Sequence, residues 1–183
     1  MRVLIAATPL TGHLNPLLAI GHTLMNEGCK VLGLSANIMR ARFERLGAPF
    51  RAFPGRADVD LSDRDVAFPE WKTIPPGPGR LRFALEHVYI DAIHAQHQGL
   101  QRVLEEFPAD VILGDNFLFG VLPMLLGRHA KRPASSYAAQ CSCIAGVTTA
   151  LPISPACLLR AALLSVRDTL PSPKSMTDSS MTR

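Results

Sequence analysis

A chain of 183 residues that is 48% apolar and 19% charged has the make-up of a globular domain with its own core, which excludes a disordered or collagen-like polymer. The net charge of +4 is scattered over separate Arg and Lys residues with no basic run, which points away from nucleic acid as a partner. The four cysteines match neither a zinc pattern nor Cys-x-x-Cys, and no apolar stretch reaches the roughly 18 residues of a membrane helix, so the expectation is a reduced cytoplasmic protein without stable membrane insertion.

RVLIAA (2–7) is apolar from Val3 onward, the pattern of a strand buried on both faces of a parallel sheet. ATPLTGHLNPLLAIG (7–21) then leads into a helix, with Asn15 suited to cap it, Pro16 suited to its first turn, and Leu17, Leu18, Gly21, Leu24 and Met25 at helical spacing. Glu27-Gly28 ends that helix, KVLGLSA (30–36) reads as a second strand, IMRARFERL (38–46) as an amphipathic helix stopped by Gly47, and PFRAF (49–53) as a third strand. This β-α-β-α-β order predicts an α/β fold with a doubly wound parallel sheet. Residues 54–79 are rich in Pro, Gly and Asp and close on IPPGPG, a long excursion of the kind that is usually functional or disordered. A long helix is predicted over about 80–106, a buried strand in DVILGD (110–115), and a further helix over 117–130. Arg132-Pro133 introduces what should be another strand.

In an open parallel sheet, ligands bind beyond the carboxyl ends of the strands. His13 lies just past the first strand and Asp115 just past the run VILG, so both belong to that edge. A carboxylate beside an imidazole can fix its tautomer and stabilise the imidazolium formed in reaction. A Gly-His turn that only exposes a histidine to water, and an Asp that only caps the next helix, is the plainer alternative. His87, His94 and His97 share the long helix, but no carboxylate or cysteine completes a metal set, and no metal site is assigned. The first loop lacks Gly-x-Gly-x-x-Gly, and neither a Walker loop nor Gly-x-Ser-x-Gly is present, which argues against dinucleotide, P-loop and α/β-hydrolase chemistry.

GHLNPLLAIG behind a first strand, FERLGAPFRAFP and PADVILGDNFLFGVLP together resemble the nucleotide-sugar-dependent glycosyltransferases with two facing Rossmann-like domains, most closely the bacterial macrolide and antibiotic type. The resemblance spans about residues 1–133. It implies an N-terminal acceptor-binding half of a hexosyltransferase acting with inversion and without a metal or other cofactor. It implies further that His13 takes the proton from the acceptor hydroxyl and that Asp115 orients His13. Gly12 and Asn15 beside His13, Asn116 beside Asp115, and Trp71, Phe83 and His87 from the excursion and the long helix are then the candidate acceptor contacts, with core or loop packing the equal alternative for Trp71 and Phe83.

The resemblance stops near Ala134, inside a predicted strand. Residues 134–183 turn rich in Ser, Thr, Ala and Pro, and LPSPKSMTDSSMTR reads as disorder, the pattern expected of a changed reading frame or a truncated gene. The donor motif of the C-terminal half is not recognisable there. The expectation is therefore an acceptor domain inactive alone, with a small-molecule hydroxyl acceptor as partner and a nucleotide sugar only if a donor domain is supplied in trans. An acceptor module working with a separately encoded donor-binding partner, and a nonfunctional fragment, are the alternatives.

Overall fold

The computed structural model describes residues 1–126 and, as backbone, the strand at 134–137. The strands are β1 (Arg2–Ala6), β2 (Lys30–Ser35), β3 (Phe50–Ala52), β4 (Val111–Gly114) and β5 (Ala134–Tyr137). They form one sheet in the order β3-β2-β1-β4-β5, and every neighbouring pair is parallel. The doubly wound α/β architecture is thus present, and the strand foreseen behind Pro133 is β5. The predicted tail beyond residue 137 lies outside the described residues. Strand order reverses between β1 and β4, which makes the crevice past their carboxyl ends the topological switch point.

The helix behind β1 is α1 (Thr11–Asn26), and it begins one turn earlier than the sequence suggests. Leu10 holds the N-cap position, and its carbonyl accepts from the backbone N–H of both His13 and Leu14 at 3.0 Å. Asn15 is therefore no cap, and Pro16 lies inside the helix. The cause is burial: Leu14 is as fully enclosed as Leu17, so the apolar stripe starts at Leu14 and draws the preceding turn onto the sheet. α2 (Arg40–Leu46) follows a 3-10 turn and ends at Gly47, whose φ of 81° is the left-handed conformation that glycine adopts without a Cβ clash.

The stretch between β3 and β4 departs most from expectation. Residues 54–79 contain two 3-10 turns, Gly55–Ala57 and Pro69–Thr73, and the one-turn helix α3 (Arg64–Ala67). Asp63 caps α3, accepting from the N–H groups of Asp65 and Val66. The single long helix foreseen over 80–106 is instead α4 (Pro78–Phe83), a π-helical segment (Ala84–Ile90) and α5 (Ile93–Glu106). The π segment buries Val88 and Tyr89, which join the apolar cluster at the carboxyl edge of the sheet. The helix foreseen from 117 is a 3-10 turn, Phe119–Val121, running into α6 (Leu122–Leu126).

On one face of the sheet Leu4, Ala6, Leu32, Leu34 and Ile112 pack against Ala92, Leu100 and Val103 of the α5 region and Leu118 and Val121 of the loop after β4. Each buried leucine, isoleucine or valine of this set contributes about 1.5–3 kcal/mol relative to exposure. A smaller apolar cluster of Leu61, Val88 and Tyr89, with Leu10, Phe68, Phe117 and Phe119 packed on it, ties the excursion to the carboxyl edge of the sheet.

Candidate active site

β1 and β4 run in register, with Ala6 opposite Gly114, so the chain leaves both strands at the same level. Beyond that level lie Thr8 and Asp115, each only 1% exposed. A buried carboxylate is costly unless donors surround it. Asp115 has three: the Thr8 N–H reaches Oδ1 at 3.1 Å, and the Thr8 hydroxyl and His13 Nδ1 reach Oδ2 at 2.5 and 2.7 Å. The early start of α1 puts His13 in its first turn, from which the imidazole reaches across to β4.

The contact decides the tautomer. An ionised carboxylate only accepts, so Nδ1 carries the proton that faces Oδ2, and Nε2 keeps the lone pair. The His13 side chain retains 14% of its exposure, while Asp115 is sealed beneath it. A partly exposed imidazole at the crevice thus stands on a buried carboxylate.

Aromatic rings continue from this point. Phe117 lies 5.2 Å from the His13 ring and stacks on Tyr89 at 4.4 Å with 15° between planes. Phe119 closes edge-on against both. Burial pushes the Tyr89 hydroxyl above its ordinary value, Arg64 pulls against that, and Asp115 adds to it. Phe68, packed on the same cluster, meets Phe83 at 6.0 Å, and Phe83 in turn touches His87 at 4.5 Å and Trp71 at 5.9 Å. Arg64 and Arg80 both lie over the Trp71 ring.

Trp71, Phe83 and His87 are therefore brought together, as a group linked to the His13 end of the crevice through Phe68. Gly12 and Asn116 are exposed beside His13 and Asp115. Asn15 faces α2, where its Oδ1 accepts from Arg42 at 2.9 Å. The helix histidines take separate partners: His87 pairs with Asp91, His94 with Gln98, and His97 Nδ1 donates to the Gly120 carbonyl. Among the described residues no three of His, Cys, Asp and Glu gather as a metal set would.

Three features of the site have little sequence signal. Thr8 and Phe117 stand two residues beyond Ala6 and Asp115, where nothing local separates them from ordinary loop residues. The third is the grip on Gly120: its N–H donates to the buried Gln96 Oε1 at 2.8 Å, and a Cβ there would come within 2.8 Å of the Gln96 backbone. That close approach of α5 fixes the loop that carries Asp115 and Phe117.

No family model matches the chain. It is 38% identical over 138 residues to UDP-glycosyltransferase 2 of Phaeomoniella chlamydospora, a match covering 73% of this chain and 30% of that protein. It is 30% identical over 119 residues to 4'-demethylrebeccamycin synthase of Lentzea aerocolonigenes, covering 65% of this chain and 28% of that one. The solved calicheamicin glycosyltransferase superposes with a TM-score of 0.55 at 17% identity, over 90% of this chain and 36% of its own, and so shares the fold. The chain spans about 30% of the length of the curated relatives it matches. The chain is similar to UDP-glycosyltransferases over that part of their length and has the fold of the solved calicheamicin glycosyltransferase.

Proposed function

We propose that residues 1–133 form the acceptor-binding half of an inverting glycosyltransferase, which moves a hexosyl group from a nucleotide-diphosphate sugar to a hydroxyl of a small acceptor. The single observation that carries this reading is the 2.7 Å contact between His13 Nδ1 and the buried Asp115 Oδ2 at the switch point. Nε2 of His13 takes the hydroxyl proton, the acceptor oxygen forms a bond to the anomeric carbon, and the bond from that carbon to the diphosphate breaks on the opposite face. Asp115 keeps Nδ1 protonated and balances the imidazolium. A positioned base of this kind contributes about a hundred- to ten-thousand-fold in rate.

Phe117 beside His13 and the rings behind it offer an apolar wall for the body of the acceptor. The matched relatives are about three times as long as the aligned stretch, which supports a donor sugar held by a second domain, in the same polypeptide or another. Positioning both substrates supplies much of an enzyme's advantage, so the acceptor half by itself is expected to be inactive or nearly so.

The full chain, mixed with the remaining portion of the Phaeomoniella relative, a UDP-sugar and hydroxyl acceptors, tests this. Transfer is expected only in the complete mixture, with inversion at the anomeric carbon. Transfer that survives His13→Ala, or that retains configuration, contradicts the reading.

A further inference from the structure

We propose that Thr8 is a positioning residue of this site: it holds the Asp115 carboxylate at one rotation, so that Oδ2 meets the Nδ1–H of His13. The inference rests on the dyad reading above.

A carboxylate turns about its Cβ–Cγ bond in a broad, two-fold well. The bond from His13 alone engages only Oδ2 and leaves that rotation soft. Thr8 engages both oxygens from one residue, its N–H on Oδ1 and its hydroxyl on Oδ2. Thr8 is itself fixed. The preceding N–H, of Ala7, donates to the Leu34 carbonyl at 3.0 Å, and the Thr8 carbonyl accepts from Leu10 at 2.7 Å. The side chain is 1% exposed, so no water replaces the hydroxyl.

The hydroxyl has a further consequence. Oδ2 accepts two donors, and when the acceptor proton reaches Nε2 the positive ring presses on that same oxygen. The Thr8 hydroxyl donates throughout and exchanges no proton with the substrate. Its part is to keep the carboxylate from swinging out of the imidazole plane as the charge develops.

The test uses the full chain labelled with nitrogen-15 and side-chain magnetic resonance of His13. In the wild-type chain the Nδ1–H proton should be seen downfield, in slow exchange with water and close to a protected Thr8 hydroxyl proton. Thr8→Val keeps the N–H and the shape but removes the hydroxyl. It should speed exchange of the Nδ1–H about tenfold or more, the size expected for losing a bond to a charged group, with the remaining amide spectrum unchanged. Thr8→Ser should restore slow exchange. In the mixture with a donor domain, Thr8→Val should lower kcat about tenfold with the acceptor KM unchanged.

Wild-type exchange in Thr8→Val, with the resonance lost in Asp115→Asn, overturns the role of Thr8 and leaves the dyad standing. A resonance unmoved by Asp115→Asn overturns both. Should Thr8→Val not fold, the wild-type chain still decides: the absence of a protected Thr8 hydroxyl proton near the His13 Nδ1–H overturns the proposal.

Discussion

The crevice edge at β1 and β4 and the excursion between β3 and β4 are built on opposite terms. At the edge, Thr8 and Asp115 are sealed, their partners are fixed by strand register, and the imidazole that meets them keeps a small exposed part. The excursion, continued through α4 and the π segment to Ile90, is a string of short helical pieces that leaves Val66, Leu81 and Ile90 more than half exposed, with a cluster of rings in their midst. A rigid strand end suits a step that needs reacting groups placed to within about half an ångström, while a set of short turns suits a surface that must fit one acceptor rather than another. On this account chemistry belongs to the edge and selection to the excursion.

The largest expected effect separates the two. With a donor domain present, His13→Ala should lower transfer about a hundred- to ten-thousand-fold at saturating acceptor. Trp71→Ala should instead raise the acceptor KM several-fold with kcat little changed, as a contact equal in ground and transition states does. Initial-rate kinetics on both variants would break the division if Trp71→Ala lowered kcat as much as His13→Ala.

Stability should divide in the same way. Leu4 is fully buried in the sheet core, and Leu4→Ala should cost about 2–5 kcal/mol, whereas Leu81→Ala on the exposed side of the excursion should stay within about 0.5 kcal/mol. Denaturant unfolding measures both.

Tyr89 joins the regions, and its titration sharpens the comparison. Burial favours the neutral phenol, so the fold holds this contribution below the ordinary tyrosine value and loses it as pH rises through the higher folded one. Phenolate absorbance should show one late-titrating group that Tyr89→Phe removes; a Tyr89 that ionises with ordinary tyrosine would mean an open cluster.

The smallest effect lies at the far end of the sheet. The Arg2 N–H above all, and the Arg2 guanidinium with it, hold the Asp110 carboxyl below its ordinary range. Such a depressed carboxyl stabilises the fold above its ordinary value, and the contribution is lost as pH falls through the folded value. The pair is solvent-exposed, so Asp110→Asn should cost less than about 1 kcal/mol near neutral pH and flatten the acid limb of the stability curve. An acid limb identical to wild type would refute this.

Much of the edge was legible because strand ends announce themselves. VLIA and VILG are unbroken apolar runs, so the residues beyond them, His13 and Asp115, could be placed at the ligand edge from the sequence. Thr8 was not legible, since its two bonds run to a residue 107 positions away and no local pattern records them. The start of α1 was misplaced because Asn15-Pro16 is a strong local start signal that burial of Leu14 overrides. The break in the long helix was invisible for a related reason: residues 80–106 have no proline, and the π segment answers to the rings of Phe117 and Phe119 packed against Tyr89.

The central claim is that the base at the crevice works through its buried carboxylate, and Asp115→Asn tests it most directly. This change keeps the size of the side chain but replaces one acceptor with a donor, which favours the wrong tautomer of His13. Transfer by the full chain with a donor domain should fall at least about a hundredfold in kcat, with the acceptor KM within about threefold of wild type. An unchanged kcat in a folded Asp115→Asn chain would contradict the account.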